Sequence, residues 1–394
     1  MRKRICIISF SPVYRDARVL RQIEYLSPHY DLTVIGYGPP HPEWAHLDWK
    51  SVQVHSSPLT RLTGGALLVM GRALPALYDV WYWQKPHHRQ ALRYALESGA
   101  HAYHANDWNA LPVGAHAALH HQARLILDAH EYAPLEFEDR WHWRLLYRPL
   151  VTYVLRRYTR HLSAATTVAP AIAARYKLEF GFEPVTVLNA PRLVPLPPRR
   201  PRPDPDRIHL VYHGGVSPDR RIETMLEAVA LADNRFSLHL ILVDPASPYV
   251  RRLEALARRL APERIAFHEP VPPADIVRRI AAYDMGFYLL RPSSFNNRVA
   301  LPNKFFDFVA AGLAVCVGPG TGMAQLVEEY GFGVVTPSFD PQDVAAALNR
   351  VTPPDLLRMQ QAAHQAARHI NADVEMAKLV HLYQQLLSTP TAGA

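Results

Sequence analysis

The stretch RICIISFSPVYRDARVLRQIEYLSPHYDLTVI, Arg4–Ile35, decides the fold. Its first six residues, Arg4 to Ser9, are an apolar run rich in isoleucine, which suits a strand covered on both faces. Ser11-Pro12 ends the run. From about Asp16 to Ser27 apolar residues return at helical spacing, and Leu32 to Ile35 is a second short apolar run. Strand, helix and strand in that order make the parallel βαβ unit.

The alternation continues outward. Further strands are expected at Val52 to His55, Ala102 to His104, Arg124 to Asp128, Ala165 to Val168 and Val185 to Leu188, with helices between them. From Asn189 to Arg207 the chain changes character, with seven prolines (Pro191, Pro195, Pro197, Pro198, Pro201, Pro203, Pro205) that no helix or sheet ladder sustains. After it the pattern restarts with Ile208 to His213, a helix from about Arg221 to Ala232, then Leu238 to Val243, Ile265 to His268, Gly286 to Leu289 and Ala314 to Val317. The expected architecture is α/β, two Rossmann-like domains facing a central cleft. The N-terminal domain spans 1–188, a Pro-rich linker 189–206 and the C-terminal domain 207–370; a closing segment, 371–394, carries a helix that can cross back onto the first domain. In such sheets ligands bind outside the carboxyl ends of the strands, so the residues just after each strand matter most.

Composition bounds the function. A chain of 394 residues, 49% hydrophobic and 20% charged, has the apolar material for two cores and is not a disordered protein. Its only cysteines, Cys6 and Cys316, lie in apolar strand-like runs and read as reduced structural thiols, which excludes a disulfide scaffold and points to the cytoplasm. The basic start, Met1-Arg2-Lys3-Arg4, precedes too short an apolar run for a signal peptide, and no apolar stretch approaches a membrane span. Net charge is +8; residues 1–188 hold 21 Lys and Arg against 15 Asp and Glu, the remainder 22 against 20, so the excess is N-terminal. That bias suits anionic partners.

The segment Phe295–Val315 carries the densest chemistry. Asn303 is a suitable N-cap, Phe305, Phe306, Phe308 and Val309 bury a helix, and Gly312 ends it. A helix start of this kind favours a phosphate; Lys304 adds a charge, and Asp307, one turn on, can accept hydrogen bonds from two ribose hydroxyls. A well-capped helix with Lys304 and Asp307 facing solvent is the competing reading.

This segment, Asn296-Asn297 through Pro302-Asn303-Lys304-Phe305-Phe306-Asp307-Phe308 to Ala310-Ala311-Gly312-Leu313, resembles the donor-site segment of bacterial glycosyltransferase family 4 enzymes, which have the GT-B fold. The resemblance extends along the chain. Tyr14-Arg15-Asp16-Ala17-Arg18-Val19-Leu20 is similar to that family's first loop and helix, and Tyr103-His104-Ala105-Asn106-Asp107 with Leu111-Pro112 to a second motif. Asp128-Ala129-His130-Glu131, Asn189-Ala190-Pro191 and Tyr212-His213-Gly214-Gly215 followed by Arg220 resemble three more, in order.

The resemblance implies roles. Asp307 falls on the second acid of a Glu-x7-Glu pair and would contact the ribose; Val299 stands where the first would be. Arg220 falls on a diphosphate-binding cation, with Gly215 in place of its partner arginine and Lys304 as the substitute. His130 falls on a histidine that faces the donor sugar. The implied site therefore has His130, Arg220 and Lys304 as catalytic groups, and Gly214, Gly215, Asn303, Asp307, Gly320 and Thr321 binding the donor. Tyr14, Arg15, Asp16, His104, Asp107 and Glu131 lie on the acceptor side. The implied reaction is retaining and needs no metal or other cofactor. Its donor is a nucleotide-diphosphate sugar, UDP before GDP, which yields a hexose or N-acetylhexosamine to a glycan or lipid-linked acceptor in surface polysaccharide assembly.

Other signals weigh less. Asp204-Pro205-Asp206 sits in the linker with no strand before it, and the histidine pairs His87-His88 and His120-His121 lack zinc-ligand spacing and read as surface residues. Arg140-Trp141-His142-Trp143-Arg144, with Tyr147, Arg148, Tyr153, Arg156, Arg157 and Arg160, is mostly core by its helical spacing but also suits peripheral contact with anionic membrane. Trp81-Tyr82-Trp83 with Lys85 and Arg89 suits either a membrane surface or an acceptor groove. Two competing functions stay open: a sugar-nucleotide epimerase or hydrolase of the same architecture, and a basic nucleic-acid-binding or scaffolding protein. The second is opposed by dispersed charge and the lack of a nucleic-acid module, so no nucleic acid is expected as partner.

Overall fold

The computed structural model describes residues 2–54, 58–196 and 206–388, with only the backbone for 58–61. Most of the expected Pro-rich linker, His55, and Asp204-Pro205 of the Asp-x-Asp sequence fall outside these residues. The chain divides into two compact units, the first Met1–Leu188 with Ser294–Asn296 and the residues from Glu375 onward, the second Asn189–Ser293 with Asn297–Val374.

The first unit is a seven-stranded parallel sheet in the order β3-β2-β1-β4-β5-β6-β7. Its strands are β1 (Arg4–Pro12), β2 (Asp31–Tyr37), β3 (Asp48–Val52), β4 (Ala102–Asn106), β5 (Arg124–Ala129), β6 (Ala164–Thr167) and β7 (Val185–Thr186). Ile5, Cys6, Ile7 and Ile8 are completely enclosed, as a strand covered by helices on both faces requires. The strand order reverses between β1 and β4, so the loops after these two strands diverge and leave a crevice at their carboxyl ends.

The second unit repeats the design with six parallel strands in the order β10-β9-β8-β11-β12-β13. These are β8 (Ile208–Gly214), β9 (Phe236–Leu242), β10 (Ile265–His268), β11 (Met285–Tyr288), β12 (Ala314–Val317) and β13 (Gly333–Val335). Its switch point lies between β8 and β11.

One expected strand moves: the edge strand is Asp48–Val52, not Val52 to His55. Its residues alternate rather than run apolar, and its register on β2, Thr33 opposite Asp48 through Tyr37 opposite Val52, is marked by the Thr33 hydroxyl donating to Asp48 Oδ2 at 2.9 Å. The strand β13 has no counterpart in the sequence reading. From Glu375 the last helix, Ala372–Ser388, packs Met376, Leu379 and Tyr383 into the core formed by Ile5, Ile7, Val19 and Ile23. Glu375 Oε2 accepts from the Leu188 N–H at 2.8 Å.

In the second unit the helix Asn303–Ala310 lies so close over β11 that a methyl at Gly286 would come within 2.2 Å of the Phe308 ring. Glycine at that position is what lets the helix descend onto the strand and seat Lys304 and Asp307 beside β8. Gly286→Ala should destabilise the protein by about 1–3 kcal/mol through overpacking. Urea unfolding measures it, and an unchanged midpoint would contradict the close packing.

Candidate functional site

Each unit gathers polar residues at its switch point. In the second, β8 ends at Gly214, whose φ of 102° is reached easily only by glycine, and the chain turns away through Gly215 toward Arg220. Arg220 Nη1 donates to the Tyr288 hydroxyl at 2.6 Å, across from β8 to the end of β11. From the helix Asn303–Ala310, Lys304 donates to the Tyr212 hydroxyl at 2.7 Å. Its ammonium sits 3.9 Å from the centre of the Tyr212 ring and 4.7 Å from that of Tyr288. The Tyr212 hydroxyl donates in turn to the Gly215 carbonyl at 3.0 Å.

Two cations thus share a pair of tyrosines. Burial, and then the neighbouring Arg220, hold the Lys304 pKa well below its usual value, while the aromatic faces and Asp307 favour its charged form. Asp307 is buried one helical turn from Lys304, its Oδ2 3.4 Å from His213 Nε2. Burial and Lys304 push His213 down to about 3, so that contact is between a carboxylate and a neutral ring, not an ion pair. The arrangement favours an anion near Arg220 and Lys304, which would relieve the repulsion between them.

Two expectations for this unit are corrected. Asn303 is not the N-cap: the capping position is Pro302, whose backbone is extended and which has no side-chain acceptor, so Asn303 is the first helical residue and exposed. Thr321 is 2% exposed and its hydroxyl caps the helix Gly322–Tyr330, accepting from the Ala324 N–H at 3.1 Å while donating to the Gly318 carbonyl, so its side chain serves the fold. Gly320, with φ 66°, stays open to approach, and so does Gly215.

In the first unit the centre is Asp128, at the end of β5 and fully buried. Arg18 grips it with a two-pronged fork, Nε to Oδ2 at 2.5 Å and Nη2 to Oδ1 at 2.6 Å, and donates a third bond to the Val187 carbonyl. Gln22 and Thr166 also donate to Asp128, at 2.7 and 2.6 Å. Burial raises the Asp128 pKa, but Arg18 and His130 more than reverse this and hold it well below the ordinary carboxylate range.

His130 lies between two acids. Its Nε2 is 3.1 Å from Asp128 Oδ2 and 3.2 Å from Asn106 Oδ1, and its Nδ1 3.2 Å from Asp107 Oδ2. Burial pulls its pKa down, yet Asp107 and Asp128 overcome that and raise it to about 9, so the ring is an imidazolium at neutral pH. Both nitrogens are then engaged, and His130 is a fixed positive charge rather than a free base. Asp107 accepts from the His130 N–H at 3.0 Å and has a φ of 65°, in the left-handed region that aspartate enters more readily than most residues.

The remaining acceptor-side candidates separate. Tyr14 and Arg15 are at the surface, the guanidinium 5.1 Å from the tyrosine ring centre, and Glu131 is exposed. Asp16 is half-exposed, and its carboxylate caps the helix Ala17–Leu26 by accepting from the Arg18 and Val19 N–H groups. His104 is corrected: it is fully enclosed, its Nδ1 2.7 Å from the Tyr383 hydroxyl, and burial pushes it down to about 4. His88 is likewise no surface residue but 4% exposed, its ring tilted against that of Tyr82 at 3.8 Å between centres. His209, His239 and His268 form a hydrogen-bonded row across β8, β9 and β10.

Sequence reading missed Arg18, Gln22, Asn106 and Glu136. Arg18 and Gln22 are one turn apart on the buried face of their helix, and polar residues at that spacing were the available signal. Burial and then Glu131 and Asp107 push Glu136 up to about 8. Nearby, Phe10, Tyr37, Trp81, Lys85 and Trp108 line a cavity of about 280 Å³, with the Lys85 ammonium 3.4 Å from the Trp81 ring centre and pulled by burial to about 8.

A stability test follows from His130. Its folded pKa lies above the unfolded value of about 6.5, so its contribution is complete below that and lost as pH rises through about 9. The stability difference between the parent and His130→Gln, from urea unfolding, should be largest near pH 6 and shrink by pH 10. A difference that does not change over this range would show the ring is not charged.

Comparison with known proteins adds three findings. Residues 207–352 match the family model described as Glycosyl transferases group 1. No curated protein matches by sequence. Among solved structures, Anabaena Alr3699/HepE in complex with UDP-glucose superposes with a TM-score of 0.69 at 16% identity, covering 98% of this chain and 100% of that one. Sucrose-phosphate synthase (tll1590) from Thermosynechococcus elongatus gives 0.68 at 15% identity, with 98% and 100% covered. The lipopolysaccharide outer core galactosyltransferase WaaB, in its apo form, gives 0.63 at 11%, with 97% and 99% covered. At such identities the likeness shows the fold, two Rossmann-like α/β domains.

Proposed function

We propose that the protein is a glycosyltransferase that moves a sugar from a nucleotide diphosphate, UDP before GDP, to a hydroxyl of a glycan or lipid-linked acceptor. The observation that carries this is the placement of Arg220 and Lys304 on a shared pair of tyrosines at the β8 end, inside the stretch that matches the glycosyltransferase model. The UDP preference is supported by Alr3699/HepE, which has been seen with UDP, with UDP and glucose, and with UDP-glucose. WaaB, a lipopolysaccharide galactosyltransferase, supports a surface polysaccharide as the acceptor class and a hexose as the transferred group, with N-acetylhexosamine as the other sugar to test.

The chemistry follows from charge. As the anomeric C–O bond breaks, negative charge grows on the leaving diphosphate. Arg220, Lys304, the open backbone at Gly215 and Gly320, and the start of the helix Asn303–Ala310 would hold that charge in place of a metal ion. An anion beside Lys304 would favour the ammonium form that burial disfavours. Asp307 would take the ribose hydroxyls, and the aromatic cavity beside Trp81, Trp108 and Lys85 would stack an acceptor ring. His130, held as a cation, is not available as a base, and in this reading the acceptor proton leaves on an oxygen of the donor phosphate, with retention of anomeric configuration.

Incubation with a panel of UDP- and GDP-sugars, followed by release of the free nucleotide and product anomer analysis, tests the reading. Arg220→Ala should lower kcat by about a hundredfold to a thousandfold, the range for removing one preorganised stabiliser of developing charge. Asp307→Ala should weaken donor binding by about tenfold or more through lost charge-assisted hydrogen bonds. Parental kinetics in both variants, or no binding of any nucleotide sugar by the folded protein, would refute the assignment.

A further inference from the structure

The first unit carries a second charged feature that the proposed transfer does not use. Along the continuous helical run from Trp143 to His161, Arg144, Arg148, Thr152, Arg156 and Arg160 recur at every fourth residue and line one groove. Spacing of four places them in a single row on one face. Arg72 and Arg157 join from the sides, and the groove has a volume of about 860 Å³.

Six arginines thus face one lining carboxylate, Glu179, which is already engaged by Arg175 and the Tyr132 hydroxyl. Arg157 is neutralised by Asp79 at 3.2 Å. Among the described residues Arg72, Arg144, Arg148 and Arg156 have no acidic partner, and all are exposed. Like charges one helical turn apart oppose helix formation, so the fold gains nothing from this row.

The rim of the groove is apolar and outward. Leu74, between Arg72 and Pro75 of the lining, is 62% exposed; Met70, beside Gly71, is 51%; Leu145, beside Arg144, is 46%. Of the two tryptophans at the start of this run and just before it, one is buried and one is not. Trp143 is buried and bonds the Pro134 carbonyl, whereas Trp141 stands 65% exposed. Packing explains the first and not the second.

We propose that this groove and its rim are a docking surface for an anionic lipid membrane, with lipid phosphates in the arginine groove and Trp141, Leu74, Leu145 and Met70 in the headgroup zone. A free anion would account for the arginines alone, and a nucleic acid would not use an aliphatic rim. The pairing of a basic row with exposed apolar side chains is the signature of an interfacial surface. The membrane would be met from one side, since no described helix is long and apolar enough to cross it. The proposal stands apart from the transferase reading and can fail without it.

Co-sedimentation of the full chain with vesicles tests it. The parent should pellet with vesicles of phosphatidylcholine and phosphatidylglycerol, stay in solution with phosphatidylcholine alone, and be released by high salt. Each unit of charge removed should cost about fivefold in partitioning, so Arg148→Glu, Arg156→Glu and Arg160→Glu combined should cost well over a hundredfold. Trp141→Ser should weaken binding while leaving its salt dependence in place. Equal binding to neutral vesicles, loss of binding on adding millimolar inorganic phosphate, or displacement from vesicles by an RNA oligonucleotide would each overturn the proposal. Donor binding by the triple variant separates this failure from any failure of the transferase assignment.

Discussion

The contact on which the second unit's chemistry depends is that of the Lys304 ammonium with Tyr212 and Tyr288, held beside a second cation, Arg220. Burying a lysine next to an arginine is costly, and hydrogen bonds and ring faces offset only part of that cost. The neighbouring structure serves to keep this arrangement in place. Gly286 lets the helix bearing Lys304 approach β11, Gly214 lets the end of β8 turn beneath it, and the aromatic side of that helix fills the core behind. A site assembled with surplus positive charge is suited to a negative ligand.

The first unit balances its charges instead. Asp128 is buried, yet Arg18, Gln22, Thr166 and His130 supply donors enough to keep it ionised. Opposite charges alternate from Arg18 through Asp128 and His130 to the half-exposed Asp107. Both clusters stand at the switch point of their own sheet. One is an unmet demand for negative charge and the other a closed circuit.

Much of this was legible from sequence, for physical reasons. Parallel strands buried on both faces leave continuous apolar runs, so Ala314–Val317 is bounded to the residue by its composition. The edge strand Asp48–Val52 was misplaced because half its side chains face away from the core, and β13 was missed because three residues including a glycine carry no periodicity. Motifs brought Arg220, Lys304 and Asp307 to one place. They could not reveal that Asp16 and Thr321 spend their side chains on helix caps, or that His104 is sealed beneath Tyr383, because those roles depend on a few tenths of an ångström and on a helix more than two hundred residues away. Arg18 escaped notice for the opposite reason: its helix was placed correctly, but an arginine on a buried face declares itself only when its partner, Asp128, is known.

The measurement closest to the central claim is the affinity for UDP against uridine, by calorimetry. Two charge-assisted contacts to the diphosphate predict UDP binding at least about a hundredfold tighter than uridine. Equal affinities for the two ligands would contradict it.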